Sequence, residues 1–263
     1  MSLVFAAITP HTPLLIPSIG KKKTDKVKKT KESLLQLEQD LYVSKPQIIM
    51  MISPHTGLFE SSFSVNAHTA FESCFDQFGD LATKRAWNGA TDLAAKIAHM
   101  SNSGDVPVRL VSEDKVDHGV CVPLFFLTAH LPDVKILPIG YSNLDAKEHM
   151  KFGELLKDVI METDKRVAVI ASGDLSHCLE TESPGGFHKD GKVFDETFTQ
   201  LLETRNTLGI AQMDEGVVKN AQQCAYRSVL ILLGILKNMD YTFKNYSYEA
   251  PFGVGYLVGN FVF

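Results

Sequence analysis

One short run, RVAVIASGDLSHC at residues 166–178, constrains the fold more than any other part of the chain. Its first half consists of β-branched and small apolar residues, which predicts a strand buried on both faces of a parallel sheet. Its second half breaks the strand at Ser172-Gly173-Asp174 and places His177 just beyond the break. In such sheets, ligands bind beyond the carboxyl ends of the strands. We therefore predict an α/β fold with a central, mostly parallel sheet covered by helices on both faces, and a functional site at the loop that carries His177.

Two other histidines follow strand-like runs in the same way. The run from Leu3 to Thr9 leads to His11, and the run from Gln47 to Ser53 leads to His55. Each of these histidines directly follows a proline. If the three strands are parallel neighbours, their imidazoles meet at one edge of the sheet. The sequence therefore predicts a metal site at that edge.

Length and composition bound the class of protein. The chain has 263 residues, of which 44% are hydrophobic, so it can bury a large core, and we expect one domain spanning residues 1–263. Its 26 basic and 31 acidic residues give a formal net charge of -5, which creates no attraction for nucleic acid or for a membrane surface. The beginning of the chain has no basic leader, and no apolar run reaches the length of a membrane span. We expect a cytoplasmic protein that acts on a small molecule.

The four cysteines do not form a structural framework. Cys74, Cys121, Cys178 and Cys224 are widely spaced and form no CxxC pair, which argues against disulfides and against a zinc ribbon. We expect reduced thiols.

A second polar turn lies in the middle of the chain. Asp117-His118-Gly119 precedes an apolar segment that predicts a helix reaching Leu131. A histidine between an aspartate and a glycine can be oriented by the carboxylate and approached closely by a ligand. The same turn can equally serve only to cap the helix, and the residues leave both interpretations open.

The last third of the chain predicts helices followed by two strands. Apolar spacing predicts helices over 193–203 and 217–237, then strands over 241–248 and 253–263. The glycines between Gly253 and Gly259 do not satisfy GxGxxG, and no helix follows them, so the sequence predicts no dinucleotide site.

The histidines favour metal chemistry of two kinds. Two imidazoles and one carboxylate on one face of an ion form the non-haem iron(II) arrangement, which can bind an organic substrate and dioxygen together. His11 and His55 would supply the imidazoles, while His177, and secondarily His118, would act as acid or base. The same ligands can hold zinc with an activated water, so the residues alone leave iron and zinc open.

Four motifs carry a family resemblance that spans nearly the whole chain: Pro10-His11, Pro54-His55, DHGVCVPL at 117–124 and SGDLSH at 172–177. Together they resemble the class III extradiol ring-cleavage dioxygenases, the family of the protocatechuate 4,5-dioxygenase catalytic subunit. The resemblance implies that His11 and His55 bind Fe(II), that His177 is the acid and base, and that His118 assists at the substrate. It also implies a catechol-type aromatic substrate and dioxygen. We further expect a homo-oligomer.

One departure from this family affects the third ligand. The family has a glutamate there, in Glu-Cys-Gly, whereas this chain reads Gln223-Cys224-Ala225. Memo-type proteins, which resemble the same family, carry a cysteine at the position matching Cys224. Gln223 and Cys224 are therefore both candidate metal ligands, and a thiolate would favour Zn(II) or copper over iron. Glu249 is the nearest candidate for a substitute carboxylate, although a structural role in a tight turn is the simpler interpretation.

Two rival functions follow from that departure. The first is a Memo-like metal or redox protein that binds a protein partner. The second is a catalytically silent subunit of a dioxygenase.

Overall fold

A mixed, mostly parallel sheet forms the centre of the computed structural model, which describes residues 2–102 and 106–263. Among these residues the sheet has eleven strands. They are β1 (Leu3–Thr9), β2 (Ile48–Ser53), β3 (Phe63–Asn66), β4 (Ala70–Ser73), β5 (Ala86–Gly89), β6 (Val108–Val111), β7 (Lys115–Val116), β8 (Lys135–Gly140), β9 (Val167–Ser172), β10 (Thr242–Glu249) and β11 (Tyr256–Val262).

Helices connect these strands and cover the sheet. They are α1 (Pro17–Gly20), α2 (Lys28–Ser44), α3 (Thr91–Asn102), α4 (His118–Leu127), α5 (Ala146–Met161), α6 (Lys189–Glu203), α7 (Thr207–Ala211), α8 (Glu215–Asn220) and α9 (Ala225–Ile235). Short 3₁₀ turns occupy Pro13–Leu15, Lys21–Val27 and Asp76–Phe78. Among the described residues, no helix combines the length and the apolar character needed to cross a membrane.

The strand order brings the three predicted strands together. The main path runs β10-β11-β1-β9-β2-β8-β5-β4-β7; off this path, β3 pairs with β8, and β6 pairs with β3. Strand β9 pairs in parallel with β1 on one side and with β2 on the other, and β2 pairs in parallel with β8. Strands β11 and β10 add an antiparallel edge. The predicted α/β fold with a mostly parallel sheet is confirmed.

The central strands are apolar on both faces because each face has its own core. In β2, Ile48, Met50 and Ile52 belong to one hydrophobic cluster, and Ile49 and Met51 belong to the other. Helices α3, α5, α6 and α9 contribute to the first cluster, and α2 and α4 contribute to the second. Neither face of a strand covered on both sides meets water, which explains its continuous apolar sequence.

The helix predicted over 217–237 is wrong in one respect. The chain forms two helices there, α8 and α9, separated by a short break. Gln222 lies in this break with φ of 51°, a left-handed conformation that ends a helix. The break matters because it places Cys224 at the start of α9 rather than within a longer helix. The helix after His118 is also shorter than predicted, since α4 ends at Leu127.

Candidate metal centre

Three neighbouring strands deliver histidines to one edge of the sheet. His11 follows β1, His177 follows β9, and His55 follows β2, so all three lie beyond the carboxyl ends of parallel strands. His11 is buried, with 3% of its surface exposed, whereas His55 and His177 are less enclosed. The juxtaposition expected from the strand pattern is therefore present.

His11, His55 and His118 form a compact group of imidazoles. The Nε2 atoms of His11 and His55 are 3.3 Å apart. His118 stacks on His55 with ring centroids 4.2 Å apart and meets His11 edge-on at 5.2 Å. One nitrogen from each ring lies within 4.8 Å of the others. The structure thus places His118, expected at the substrate, in the group that could hold a cation.

Hydrogen bonds fix the tautomer of His11. The Ser172 hydroxyl donates to the carbonyl of Gly119 at 2.6 Å, so its oxygen is free to accept from Nδ1 of His11 at 2.9 Å. Nδ1 therefore carries the hydrogen, and Nε2 presents a lone pair towards His55. Burial, with the nearby His55, His118 and His177, holds the pKa of His11 well below its usual value. A neutral imidazole with a lone pair aimed into the group is suited to bind a metal ion.

Asp117 holds the loop after β2 against the start of α4. Its carboxylate caps α4 by accepting from the backbone N–H of Val120, and it also accepts from the hydroxyls of Ser53 and Thr56. The two interpretations of this turn are thus compatible, because one aspartate caps the helix and positions the loop that carries His55.

Gly119 allows the close approach of these two segments. A Cβ added at Gly119 would lie 2.4 Å from Oγ of Ser53 and 3.3 Å from Cδ2 of His55. A larger residue would push the start of α4 away from the imidazoles.

The environments of His55 and His118 keep both imidazoles neutral at pH 7. Burial lowers the pKa of His55, and the charge of Asp117 opposes this shift. Burial and His55 lower the pKa of His118 to about 4, again opposed by Asp117. Their nitrogens are therefore available as ligands or as proton acceptors.

Cys224 lies beside this group, and Gln223 has a different task. The Sγ atom of Cys224 is 3.6 Å from Nε2 of His11. Gln223 caps helix α9, because its Oε1 accepts from the backbone N–H of Tyr226 at 2.8 Å. Of the two candidate third ligands, Cys224 is the one beside His11. Burial, together with Asp174, raises the pKa of the Cys224 thiol well above its usual value, so a bound cation would be needed to form the thiolate.

His177 stands next to the imidazole group but outside it. Burial lowers its pKa, the backbone of Gln222 opposes the shift, and His55 lowers it further. Its Nδ1 is buried and has no hydrogen-bond partner within residues 2–102 and 106–263. A neutral imidazole with a free nitrogen beside the site is a suitable proton carrier.

The sequence predicts Asp174 only as part of the break after β9, but the structure makes it a residue of the site. Its Oδ1 accepts from the backbone N–H of His11 at 2.8 Å, and its own N–H donates to Sγ of Cys224 at 3.2 Å. Its carbonyl oxygen accepts from the N–H groups of Cys224 and Ala225. Burial raises the pKa of this carboxyl to about 7. Asp174 therefore ties the loop of His11 to the start of α9, and the SGD sequence after β9 is the signal that could have revealed it.

Glu249 is used elsewhere. Its Oε1 accepts from the backbone N–H of Thr30 at 2.7 Å and from the hydroxyl of the same residue. The carboxylate thus joins the end of β10 to the first turn of α2, in agreement with a structural role.

These features define an α/β protein with a histidine-rich centre, flanked by a cysteine, at the carboxyl edge of a parallel sheet. The profile of the family described as the catalytic LigB subunit of aromatic ring-opening dioxygenase matches residues 5–259. The chain belongs to this family. The resemblance to extradiol dioxygenases that the motifs indicated is confirmed.

The relatives of the chain include an extradiol dioxygenase and a MEMO1 family protein. Protein CA_C1420 of Clostridium acetobutylicum is 29% identical over 267 residues, which cover 98% of this chain and 57% of that protein. The 4,5-DOPA dioxygenase extradiol of Beta vulgaris is 28% identical over 192 residues, which cover 70% of this chain and 68% of that protein. A MEMO1 family protein of Methanosarcina mazei is 28% identical, with 48% of this chain and 44% of that protein covered. The chain thus spans little more than half of the Clostridium protein.

A solved structure shares the fold. The uncharacterized protein JW3007 from Escherichia coli K12 matches 99% of this chain and 100% of its own, with a TM-score of 0.68 and 16% sequence identity. At this identity the likeness supports the architecture alone.

Proposed function

We propose that the protein is an extradiol ring-cleavage dioxygenase that opens a catechol-type aromatic substrate with dioxygen, and that residues 1–263 act as one catalytic domain. One observation carries the proposal: Nε2 of His11 lies 3.3 Å from Nε2 of His55 and 3.6 Å from Sγ of Cys224. Membership of the LigB family and the likeness to dioxygenases support the reaction class.

The separations of His11 from its two neighbours are those of ligands on one cation. Nitrogen and sulfur ligands at ~2.0–2.3 Å from one ion lie roughly 3–3.7 Å from each other, which includes the His11–His55 and His11–Cys224 separations. Among the described residues, the set whose donor atoms all lie within 4.8 Å of one another consists of His11, His55 and His118, and Cys224 adjoins this set at His11. The thiolate of Cys224 would supply the negative charge that the family obtains from a glutamate. His11 and His55 would supply neutral nitrogens, and the hydrogen bond to Ser172 would orient the first of them.

The neighbouring side chains would handle protons and position the substrate. An iron(II) ion bound here would supply the redox chemistry for dioxygen and a place to chelate two catechol oxygens. His177, neutral and with a free Nδ1, would accept a proton from a catechol hydroxyl and return it as the ring opens. His118, stacked on His55, would contact the substrate from the side of α4.

The sulfur also favours a second candidate, a Memo-like metal protein with a protein partner. Soft thiolate ligands suit zinc or copper(I), and neither would perform this oxygen chemistry in the manner of iron(II). The engagement of Gln223 as a helix cap, which leaves Cys224 beside His11, is the specific observation in favour of this candidate. The match of a MEMO1 family protein to about half of the chain agrees with it.

Metal preference and turnover separate the two candidates. The protein is purified anaerobically, its metals are measured, it is loaded with Fe(II), and ring opening of catechols is followed by absorbance. If the site is a dioxygenase site, Fe(II)-loaded protein opens the ring, and Cys224→Ala lowers both iron affinity and turnover. If it is a Memo-like site, Cys224→Ala abolishes binding of zinc or copper, and Fe(II)-loaded wild-type protein opens no ring.

A matched cysteine controls for general loss of thiols. Cys74 is a free cysteine outside the imidazole group, and Cys74→Ala should leave metal content unchanged. Wild-type protein that binds no metal under any of these conditions would contradict both candidates and favour a silent subunit.

A further inference from the structure

The ring of His118 is held in one orientation by its neighbours. It stacks on His55 with ring centroids 4.2 Å apart and an interplanar angle of 28°, and the ring of Phe78 meets it edge-on at 5.2 Å. The backbone of His118 is fixed as well, because it begins α4 directly after the capping residue Asp117. Rotation of the ring would break these contacts, so each ring nitrogen keeps its own surroundings.

One nitrogen of this ring has a glutamine as its partner. Nδ1 of His118 lies 3.3 Å from Nε2 of Gln77, a residue of the 3₁₀ turn Asp76–Phe78. An amide nitrogen can only donate, so Nδ1 accepts the hydrogen bond. Because its low pKa keeps the imidazole of His118 neutral at pH 7, the ring has a single N–H. This hydrogen therefore lies on Nε2.

The turn that carries Gln77 is anchored at both ends. Before the turn, Phe75 is buried, with 1% of its surface exposed. After it, the carboxylate of Asp80 accepts hydrogen bonds from the hydroxyl of Ser18 and from the backbone N–H of Thr83. The side chain of Gln77 is exposed, but the anchored turn keeps its amide within reach of the imidazole.

The hydrogen on Nε2 removes His118 from the candidate ligands. His11, His55 and His118 each offer a nitrogen within 4.8 Å of the others, yet a metal ligand needs a free lone pair. Neither nitrogen of His118 has one, because Nδ1 accepts from Gln77 and Nε2 carries the hydrogen. Cys224, with Sγ 3.6 Å from Nε2 of His11, is left as the third donor beside the two other histidines.

We propose that Gln77 is a positioning residue that fixes the tautomer of His118, so that His118 stays outside the metal ligands and presents Nε2–H to the substrate. An N–H group at this place would donate to an oxygen of the aromatic substrate, where deprotonation of a hydroxyl leaves negative charge. The donation to substrate rests on the proposed function, whereas the choice of tautomer does not.

Two substitutions at position 77 separate a donor from an acceptor. Gln77→Lys has only donors, so Nδ1 of His118 should still accept and the hydrogen should stay on Nε2. Gln77→Glu has only acceptors at neutral pH, so Nδ1 should carry the hydrogen and Nε2 should gain a free lone pair. Gln36→Lys and Gln36→Glu, at an exposed position of α2, are the controls for added charge.

The tautomer is measured by nitrogen-15 NMR of the imidazoles, with and without Zn(II), and His118→Ala assigns the signal. Wild-type protein, Gln77→Lys and both Gln36 variants should show the hydrogen of His118 on Nε2 and no zinc bound to this ring. Gln77→Glu should show the hydrogen on Nδ1, and addition of zinc should then shift Nε2 of His118 as an additional ligand. Thermal unfolding of each variant checks that the fold is intact.

Turnover links the tautomer to the reaction. In Fe(II)-loaded protein, Gln77→Glu should lower kcat for catechol by about 10- to 100-fold, the usual effect of losing an outer hydrogen-bond partner. Gln77→Lys should lower kcat less than Gln77→Glu, because it retains the tautomer. A decrease of the same size in both variants would contradict a role through the tautomer.

The outcomes for the tautomer and for the reaction are distinguishable. A hydrogen on Nδ1 of His118 in wild-type protein, zinc bound to His118 in wild-type protein, or one tautomer shared by Gln77→Lys and Gln77→Glu would each overturn the inference even if rings are opened. A tautomer that follows residue 77 without any ring opening would support the positioning role and count against the proposed dioxygenase reaction.

Discussion

The two edges of the sheet carry cavities of similar size and very different chemistry. At the amino ends of β2 and β8 lies a cavity of about 690 Å³, and at the carboxyl edge, beside Cys224, lies another of about 740 Å³. The charged groups of the first are solvated: Lys96 pairs with Glu162 at 3.0 Å, and the side chain of His130 is 72% exposed. At the carboxyl edge the imidazole of His11 is buried.

This difference shows that cavity volume does not identify the functional site. Exposed ion pairs contribute little free energy and leave no ligand atom without a partner. A buried imidazole such as that of His11, with a thiol and a carboxyl within a few ångströms of the same residue, is costly to assemble, because each group loses water. The parallel strands explain the asymmetry, since their carboxyl ends collect loops from sequentially distant parts of the chain at one place.

Replacement of His11 should produce the largest difference in metal affinity between the two edges of the sheet. His11→Ala is expected to lower metal affinity by more than about 100-fold. Removal of a hydrogen-bond partner of a metal ligand costs about 10- to 100-fold in affinity, and removal of the ligand itself should cost more. His130→Ala, at the opposite edge, removes an exposed imidazole beside Glu38 and should leave affinity unchanged. Metal titration of both variants checks the prediction, and full affinity in His11→Ala would contradict it.

Replacement of His177 should separate binding from turnover. His177→Ala is expected to keep the metal and to lower ring-opening turnover by about 10²- to 10⁴-fold, the usual contribution of a general acid or base. Metal content and kcat are measured on the same sample. Loss of the metal in this variant would instead make His177 a ligand.

Removal of the Ser172 hydroxyl should have a smaller effect at the same edge. Ser172→Ala deprives Nδ1 of His11 of its hydrogen-bond acceptor, so metal affinity should fall by about 10- to 100-fold. Ser44→Ala is the control at the end of α2, where the hydroxyl only donates to the carbonyl of Leu41. Equal affinities in the two variants would show that the hydrogen bond does not orient the imidazole.

A stability measurement extends the comparison to buried carboxyls. Burial raises the pKa of Asp195 to about 6, against hydrogen bonds from Tyr248 and Ser176. Because this exceeds the unfolded value of about 3.9, the folded protein binds more protons between these pH values. The free energy of unfolding should therefore fall, on the order of 2 kcal/mol, as pH rises from about 4 through about 6.

The matched variants for this prediction differ in exposure. Asp195→Asn should remove that part of the pH dependence, since an amide can still accept from Ser176 and donate to Tyr248. Asp164→Asn, whose side chain is 84% exposed at the amino edge, should leave the pH dependence unchanged. Denaturant unfolding at several pH values is the measurement, and the same slope for Asp195→Asn and wild type would contradict the account.

The sequence predicted those parts of the site that depend on local patterns. The apolar runs ending in His11, His55 and His177 identify buried strands and their carboxyl ends, and parallel pairing then follows from the fold class. Neither the apolar runs nor the parallel pairing of neighbouring strands depends on how individual side chains pack.

The remaining features depend on contacts between distant segments. The left-handed conformation of Gln222 sets where α9 begins, and this decides that Gln223 caps the helix while Cys224 lies beside His11. The role of Asp174 likewise arises only when β9 brings its loop against α9. No periodicity in the sequence encodes these choices.

The most direct test of the central claim is X-ray absorption spectroscopy of the metal in anaerobically purified protein. The account predicts a bound ion with nitrogen ligands and one sulfur ligand, at about 2.3 Å if the ion is zinc, and predicts that the sulfur is lost in Cys224→Ser but retained in Gln223→Ala. A bound metal with only nitrogen and oxygen ligands in the wild type, or a sulfur ligand that persists in Cys224→Ser, would contradict the claim that Cys224 completes the centre formed by His11 and His55.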